Sequence, residues 1–227
     1  MQPYLFPYIG YFQLLNCVDT IVIYDDVNYI KKGWINRNKI LVNGISNLFT
    51  ISLKDSSQNK HINQIEISDG SNWRENLIKK IEYAYKKAPL FDDIFPLISE
   101  IIKNEESNLS SYLIFSLKKI SNYLRIDTNF VTSSELVKDN SLKGQDKIVE
   151  ICRIMNASEY INAIGGLDLY ENNIFLKNNV TLKFIKAKPV IYSQFKNEFV
   201  PWLSIIDVLM FNSIKEIKMM LKEYELI

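Results

Sequence analysis

The chain has 227 residues, which suits one large domain or two small ones. Its composition is 47% hydrophobic and 23% charged, as in ordinary soluble globular proteins, and its net charge of +1 gives no whole-chain basic excess that would argue for nucleic acid. No apolar run of roughly 18 residues and no secretory signal are present, so a cytoplasmic protein with no membrane span is expected.

Residues 2–11 form a stretch rich in proline and tyrosine. Its two prolines fix φ and remove backbone donors, so it cannot be the interior of an ordinary helix. The next residues predict a helix over 12–18, so a stiff aromatic loop leads into a helix start, where free N–H groups attract anions. The loop is either a ligand site or a segment that only packs. Its candidate binding residues are Gln2, Tyr4, Tyr8, Gly10 and Tyr11.

A buried strand rich in β-branched residues is predicted over 20–24, and the acidic pair Asp25 and Asp26 follows it. Ligands of open α/β sheets bind at the carboxyl ends of strands, so both carboxylates are candidate catalytic groups. The alternative is a turn or a helix cap, where Asp is common.

Residues 28–38 are the densest cluster of binding-type side chains. Lys32 and Arg37 suit phosphate or carboxylate groups, Asn36 suits hydroxyls or base edges, and Trp34 suits the face of a sugar or base. A solvated loop would also contain Lys and Asn, but less often a Trp beside Asn-Arg-Asn. These four residues are candidate substrate-binding residues.

A β-hairpin is predicted around Asn43-Gly44, between strands over 39–42 and 47–53. A polar loop after it contains His61, the only histidine, which is a candidate general base because imidazole titrates near neutral pH. A lone histidine is more often a surface residue. Alternation over 62–67 predicts a further strand.

Helices are expected in the middle of the chain. Apolar residues that recur every four positions predict an amphipathic helix ended by Pro89, with Trp73, Leu77, Ile81 and Tyr85 on its apolar face. Two more helices are predicted over 94–105 and 110–124, the second capped by Ser107 or Asn108.

A strand is predicted over 128–132, followed by a Ser-rich turn and a Lys/Gly loop over 143–147 that precedes a helix. This arrangement is an acceptable but unspecific phosphate site. A strand over 159–164 then leads to Gly165 and Gly166, candidate binding residues that would permit positive φ and close backbone approach.

The C-terminal part is predicted to contain a strand over 180–184, an extended segment over 189–195, a helix capped by Ser204 and an amphipathic helix over 213–224. Asp207 falls among apolar residues and needs a partner, such as a backbone amide or a basic residue of the opening loop. Cys17 and Cys152 belong to no disulfide or zinc pattern and are expected to be buried thiols.

Several segments together resemble WbqC-like proteins. The opening Gln-Pro-Tyr-x-Phe-Pro-Tyr-Ile-Gly-Tyr-Phe-Gln-Leu and residues 24–38 are similar to the family's N-terminal half, and Gly165-Gly166, Tyr192-x-Gln194 and residues 199–212 are similar to its C-terminal half. Members are typically encoded with bacterial surface-polysaccharide genes, particularly those for O-antigen. Tyr192 and Gln194 enter the set of candidate substrate-binding residues through this resemblance.

The resemblance implies transfer of an acyl or aminoacyl group, glycyl among them, to the amine of a nucleotide-linked amino sugar. The donor is open, with aminoacyl-tRNA as one candidate, no cofactor or metal is expected, and the oligomeric state is open. Similar proteins also carry a short hydrophobic strand ahead of the Gln-Pro-Tyr motif, and a chain that lacked this central strand is expected to be less stable.

The loop from Phe6 to Tyr11 is also similar in layout to the Pro-x-His-x-Gly-His loop of nucleotidylyltransferases. Tyrosine stands at both histidine places here, so adenylyl transfer is not expected, whereas a nucleotide-binding scaffold is. By the same analogy, Ser133-Ser134 and residues 143–147 would form a second phosphate loop.

The predicted fold is α/β: a Rossmann-like sheet with flanking helices, a β-hairpin insertion and a helical middle segment. It forms one domain over residues 1–227, with sub-lobes over 1–70, 71–125 and 126–227. The site is expected in one cleft shared by Tyr8, Arg37 and His61.

Two other classes of function stay open. One is a non-catalytic protein that binds a sugar nucleotide or a partner enzyme. The other is an isomerase or epimerase, which would need a redox cofactor or a clear acid/base pair, and the absence of a Gly-x-Gly-x-x-Gly motif counts against a dinucleotide.

Overall fold

A computed structural model describes residues 1–70, 72–196 and 198–227 as a mixed α/β protein. The helices are α1 (Ile9–Cys17), α2 (Trp73–Tyr85), α3 (Phe91–Lys103), α4 (Leu109–Leu124), α5 (Gly144–Ile154), α6 (Asn172–Lys177), α7 (Ile205–Phe211) and α8 (Ile214–Met220). The strands are β1 (Thr20–Ile23), β2 (Arg37–Val42), β3 (Ile45–Thr50), β4 (Leu53–Lys54), β5 (Glu66–Ile67), β6 (Asn129–Thr132), β7 (Glu159–Ala163), β8 (Thr181–Ala187) and β9 (Tyr224–Leu226). Short 3₁₀ helices span Ile62–Gln64, Ser133–Glu135 and Ile164–Leu169.

The strands of the described residues form four small sheets, so a single Rossmann-like sheet is not confirmed. β1 and β6 pair in parallel, and β7 and β8 pair in parallel with β9 antiparallel on the far edge of β8. The other two sheets are the antiparallel pairs β2–β3 and β4–β5. The β2–β3 pair is the predicted hairpin, whose turn contains Asn43 and Gly44 with positive φ.

A cavity of about 360 Å³ separates the two parallel pairs. Residues of β1 line one side and residues of β7 line the other, while α1 and α5 contribute apolar side chains. No strand of the described residues fills this space, which is why the two parallel pairs do not join into one sheet.

Met1 lies at this cavity in parallel register beside Ile23. Its amino group donates to the Val22 carbonyl at 2.7 Å, and the Tyr24 N–H donates to the Met1 carbonyl at 2.8 Å. This pattern is the pairing of one residue of a parallel strand. Burial lowers the pKa of the Met1 amino group to about 5, because a charged amine is poorly solvated there.

Most buried apolar side chains form one large core cluster that joins α1–α4, the β2–β3 hairpin, α7 and α8. The predicted apolar face of α2 is confirmed, since its four residues are each at most 5% exposed. A smaller cluster packs between α5, α6 and the β7–β8 pair, formed by Ile148, Cys152, Phe175 and Val180. Among the described residues, none of the helices could serve as a membrane span.

Several predicted elements differ from the structure. The first helix, predicted over 12–18, begins at Ile9, so the last residues of the expected loop form its first turn. Residues 62–67 form a 3₁₀ turn and a two-residue strand, because the buried Ile62 and Ile65 are three positions apart rather than two. The last predicted helix ends at Met220, and the chain then turns to form β9. Residues 189–195 form no strand.

The predicted caps Asn108 and Ser204 are confirmed, since their side chains accept from the N–H groups of Ser111 and Ile206. The first residue of the predicted middle sub-lobe, Ser71, lies outside the described residues.

Candidate functional site

The opening loop lies between the start of β2 and the start of α7. The Leu5 N–H donates to the Ile35 carbonyl at 3.1 Å, and the Asn38 side chain donates to the carbonyls of Leu5 (3.0 Å) and Phe6 (2.8 Å). The Ile205 N–H donates to the Pro7 carbonyl at 2.9 Å. The apolar half of the loop therefore anchors it in the core, as the packing interpretation expects.

Of the three tyrosines of the loop, Tyr11 is buried and the other two are partly exposed. Tyr11 is 2% exposed, donates to the Gln2 carbonyl at 3.0 Å, and has its pKa raised by burial. Tyr4 packs against Tyr11, with ring centroids 5.8 Å apart. Tyr8 is partly exposed and meets the indole of Trp202 edge-on at 5.7 Å. Tyr4 and Tyr8 thus both keep part of their surface open to solvent.

Gly10 lies directly under the Tyr8 ring. A Cβ at position 10 would lie 2.3 Å from the nearest Tyr8 ring atom and 2.6 Å from its hydroxyl, well inside van der Waals contact. Glycine at this position therefore permits the close packing of Tyr8 on the first turn of α1.

Within residues 28–38, some side chains are held by internal hydrogen bonds and others face solvent. Asn36 is 7% exposed, accepts from the Tyr29 hydroxyl at 2.8 Å, and donates to the Ile51 carbonyl at 3.0 Å. Arg37 donates to the backbone carbonyls of Gly33 and Lys32 and so braces the turn in which Lys32 has φ of 62°.

Trp34 of the same run is 43% exposed, and the Arg37 and Lys39 cations lie 5.9 and 5.7 Å from its ring centroid. Its exposed indole and the exposed Lys32 can reach a ligand, whereas Asn36 is committed to the fold.

The acidic pair lies where the parallel strands β1 and β6 both end. Asp25 is 2% exposed and accepts from Ser134 through both its backbone N–H (3.0 Å) and its hydroxyl (2.7 Å). Asp26 Oδ2 accepts from Lys138 Nζ at 3.0 Å and from Lys147 Nζ at 2.9 Å. The ends of β1, β6 and the first turns of α5 thus form one polar cluster, Asp25, Asp26, Ser133, Ser134, Lys138 and Lys147, which we call the carboxyl-end cluster.

The carboxyl-end cluster is nearly buried but not fully satisfied. The side chains of Lys138, Lys147 and Asp26 are 1%, 9% and 10% exposed. Burial acts to raise the pKa of Asp26, but hydrogen bonds from Lys147, Ser133 and Lys138 outweigh it and lower the pKa to about 2. Within the described residues, Asp26 Oδ1 and Ser133 Oγ are buried and make no hydrogen bond of ordinary geometry, although the Ser133 hydroxyl lies close enough to Asp26 to lower its pKa. These two oxygens keep hydrogen-bonding capacity that a polar ligand could use.

Tyr24 connects the cluster to the cavity. Its ring lies 5.1 Å from Lys147 Nζ and lines the cavity between β1 and β7. Burial and the neighbouring Asp26 charge raise the pKa of Tyr24 to about 12. Sequence patterns placed Tyr24 at the end of a predicted strand but gave it no role, and gave no signal for Lys138, which follows an irregular stretch. Lys147 fell in the predicted second phosphate loop.

His61 lies on a loop that pairs with the residues after the acidic pair. Asn28 and His61 form an antiparallel bridge, and the Asn63 N–H donates to the Asp25 carbonyl at 3.1 Å. The His61 side chain is exposed. The fold therefore brings the three candidate catalytic residues to neighbouring backbone segments.

Gly165 and Gly166 follow β7 in a 3₁₀ turn, and neither has the positive φ expected from sequence. A Cβ at Gly166 would lie 2.3 Å from Asn162 Nδ2, while nothing lies within 4 Å of one at Gly165. Close approach is therefore required at Gly166 alone.

Tyr192 and Gln194 hold Asp207, which is fully buried. The Tyr192 hydroxyl and Gln194 Nε2 donate to Asp207 Oδ1, and the Tyr85 hydroxyl donates to Oδ2, each at 2.7 Å. Burial raises the pKa of Asp207, and the three hydrogen bonds oppose that shift. The expected backbone or basic partner is replaced by two phenols and an amide.

The candidate residues do not all meet at one cavity. The 360 Å³ cavity is lined by none of them. A pocket of about 90 Å³ is lined by Tyr8 and Tyr192 together with Trp202. Arg37 and His61 line neither, so the expected cleft shared by Tyr8, Arg37 and His61 is not found in these two spaces. Within the described residues, no three His, Cys, Asp or Glu side chains are placed to hold a metal ion.

The profile of the WbqC-like protein family matches residues 2–219. The chain belongs to the WbqC-like protein family. A relative in Mycobacterium tuberculosis (strain ATCC 25618 / H37Rv), described as uncharacterized protein Rv1507c, is 26% identical over 213 residues, which cover 92% of this chain and 90% of the relative. No solved structure matches the chain significantly. The family match covers both the opening loop and the carboxyl-end cluster, so both belong to the WbqC-like region.

Proposed function

We propose that this WbqC-like protein is a cytoplasmic transferase of surface-glycan synthesis, such as O-antigen synthesis. It would transfer an acyl or aminoacyl group, glycyl among the candidates, to the amine of a nucleotide-linked amino sugar. Family membership supports the pathway, and the carboxyl-end cluster supports the site.

The observation that carries the proposal is a nearly buried carboxylate held by two buried ammonium groups where β1 and β6 end. Lys138 and Lys147 both contact Asp26 Oδ2, while Asp26 Oδ1, near the Ser133 hydroxyl, makes no hydrogen bond of ordinary geometry within the described residues. A sugar nucleotide offers hydroxyl or amine donors for the carboxylate and phosphate oxygens for the ammonium groups. The ends of parallel strands are also where open α/β folds bind such ligands.

The reaction needs a neutral amine. The amine nitrogen attacks the carbonyl carbon of the acyl donor, a C–N bond forms, and the carbonyl oxygen becomes an oxyanion. The bond from that carbon to the donor's leaving group then breaks, and the proton lost by the amine ends on the leaving group. A positioned base that takes this proton and a cation beside the oxyanion would both lower the barrier.

The proposed role of each residue follows from its charge and from its position in the fold. The low pKa of Asp26 makes it an anion that orients the amine rather than a strong base. His61 is the proposed base, since its loop lies alongside the acidic pair. Lys138 and Lys147 would hold phosphate and oppose developing negative charge. Tyr8 and Trp34 remain the proposed ring-binding residues.

The proposal is tested by mass spectrometry of nucleotide-sugar pools in cells that lack the gene and carry wild type or a variant. We expect an amino sugar without its acyl group to accumulate in the deletion and with Lys147→Met, but not with Lys143→Met, an exposed lysine four residues earlier. Thermal unfolding of the purified variants separates loss of activity from loss of fold. Unchanged pools together with an altered polymer would rule out the transfer.

A non-catalytic protein that binds a sugar nucleotide is the second candidate, favoured by one observation. Both candidate carboxylates already accept internal hydrogen bonds, Asp25 from Ser134 and Asp26 from the lysines. This alternative expects His61→Ala to leave the polymer nearly intact while Trp34→Ala abolishes it.

A further inference from the structure

A local excess of positive charge is hidden in the near-neutral net charge. Residues 27–54 contain five Lys or Arg residues and no Asp or Glu, so the rest of the chain has a net charge of −4. This segment comprises the turn around Trp34 and the β2–β3 hairpin. One continuous element of the molecule is therefore cationic while the remainder is anionic.

The cations of this segment share one face with an exposed indole. Arg37 and Lys39 are two positions apart on β2, so their side chains project from the same face of the hairpin. Both lie within 6 Å of the Trp34 ring centroid, which places the indole over that face. None of the ion pairs among the described residues involves Lys31, Lys32, Arg37 or Lys39.

A second exposed indole lies beside the same strand. The Ser204 N–H donates to the Lys39 carbonyl at 2.9 Å, which joins the segment containing Trp202 to β2. Trp202 is 70% exposed, has φ of 60°, and meets the ring of Tyr8 at 5.7 Å. Next to it is the pocket of about 90 Å³. Two exposed indoles therefore flank a basic strand.

We propose that the face formed by Lys32, Trp34, Arg37 and Lys39, with Trp202 beside the edge of β2, binds a single strand of nucleic acid. Ammonium and guanidinium groups would follow the phosphates, and unstacked bases would stack on the indoles. Neither the phosphate contacts nor the stacking reads the edges of the bases, so the face is expected to bind strands of different sequence.

The distribution of charged and apolar side chains over the two faces of the hairpin favours a nucleic acid strand over an anionic membrane as the ligand. A membrane-bound hairpin would place its exposed apolar side chains on one face. Here Leu48, opposite Lys39, shares the Trp34 face, whereas Ile45, opposite Val42, projects from the other face. The apolar residues are thus divided between two faces, while the cations and the indole are together.

The test measures fluorescence anisotropy of a labelled oligouridine RNA of about 12 nucleotides, with a DNA strand of equal length and a duplex RNA for comparison. The full chain is expected to bind both single strands more tightly than the duplex. Affinity should fall steeply between about 50 mM and about 200 mM salt, since bound phosphates release counterions.

Variants locate the binding to this face. Trp34→Ala is expected to weaken binding about ten-fold. Lys32→Gln with Lys39→Gln should also lower the salt slope, by about 0.7 for each phosphate that the variant no longer neutralises. The matched control is Lys215→Gln with Lys218→Gln, two exposed lysines of α8, which should bind as wild type does.

Four results would overturn the proposal: no binding at low salt, duplex bound as tightly as single strands, hairpin variants that bind as wild type does, or an equal loss in the α8 control. Sedimentation with phosphatidylglycerol vesicles in the absence of oligonucleotide binding would also overturn it and favour the membrane. Trp34 is also a proposed ring-binding residue of the transferase, but the assay needs no acyl transfer and reports strand binding alone.

Discussion

Asp207 is a carboxylate buried in the core and held by neutral donors. Tyr85, Tyr192 and Gln194 supply three hydrogen bonds of 2.7 Å, and the Tyr85 hydroxyl also accepts from the Leu41 N–H at 2.9 Å. Through Tyr85 the network joins α7 to both α2 and β2. A single buried carboxylate thus connects segments that are far apart in sequence.

The two phenols of this network should differ in their contribution to stability. Tyr192→Phe removes one hydrogen bond to a carboxylate, which costs about 2 kcal/mol. Tyr85→Phe removes such a bond and also leaves the buried Leu41 N–H unsatisfied, so a cost of about 4 kcal/mol is expected. Urea denaturation of the two variants and wild type measures the difference. Equal losses would contradict the bridging role of Tyr85.

Sequence alone identified the polar residues at the carboxyl end of β1 but not all their partners. Asp25 and Asp26 were found because a short β-branched strand ends at an acidic pair. Lys138 was missed because it follows an irregular stretch, where no period indicates burial. Asp207 was correctly expected to need a partner, but its phenolic partner Tyr85 is 122 positions away, and no local pattern indicates such a contact.

At the scale of elements, β1 and β7 present edges that face each other across the cavity. Met1 already pairs with β1 as one residue of a parallel strand. A strand that continued back from Met1 would lie between the two parallel pairs. The strand order would then be β6, β1, the added strand, β7 and β8, which in chain order is 3-2-1-4-5, the first five strands of the six-stranded Rossmann order.

A chain extended at Met1 by about five apolar, β-branched residues is therefore expected to be more stable than the present chain. Its stability should also depend less on pH. The Met1 amine has a folded-state pKa of about 5 against 8.0 in the unfolded chain, so the present chain gains stability as pH rises from 5 to 8. The extension replaces that amine by a peptide N–H and removes this dependence.

Thermal unfolding at pH 5 and pH 8 measures both effects, with a Gly/Ser extension of equal length as control. The control should remove the buried amine, and hence the pH dependence, but should not raise stability at pH 8, because it brings no apolar side chains into the cavity. If the chain with the apolar extension were no more stable than the chain with the Gly/Ser extension, the interpretation of the cavity as the place of one further strand would be wrong.

For the whole molecule, the two apolar clusters differ greatly in size. The large one joins α1–α4, the β2–β3 hairpin, α7 and α8, whereas the small one consists of four buried side chains beside the cavity. Regions with few buried apolar contacts open more readily than large cores. The β7–β8 unit is therefore the expected site of local opening.

Hydrogen exchange followed by mass spectrometry tests this expectation. Amides of α5, β7 and β8 should exchange before those of α2, α3 and α4. The apolar extension at Met1 should slow exchange in β7 more than in α3, because it would cover the open edge of β7. Uniform protection across the chain would show that the two clusters unfold as one unit.

The sequence was most informative where periodicity reports burial directly. The apolar face of α2 was found for that reason, and the caps Asn108 and Ser204 were found because Asn and Ser side chains suit a helix start. The sequence was least informative about which strands pair with one another. The pairing of β9 with β8, and the failure of β1 and β7 to meet, depend on long-range contacts that no window of sequence contains.

The cavity also brings the two cysteines to one place in the fold, although they lie far apart in the chain. Cys17 and Cys152 both line it. Burial raises the pKa of Cys152 to about 11, so its thiol is protonated and slow to react at neutral pH. The natural chain thus carries its own chemical reporter: whatever fills the space between the two parallel pairs will change how fast alkylating reagents reach these sulfurs.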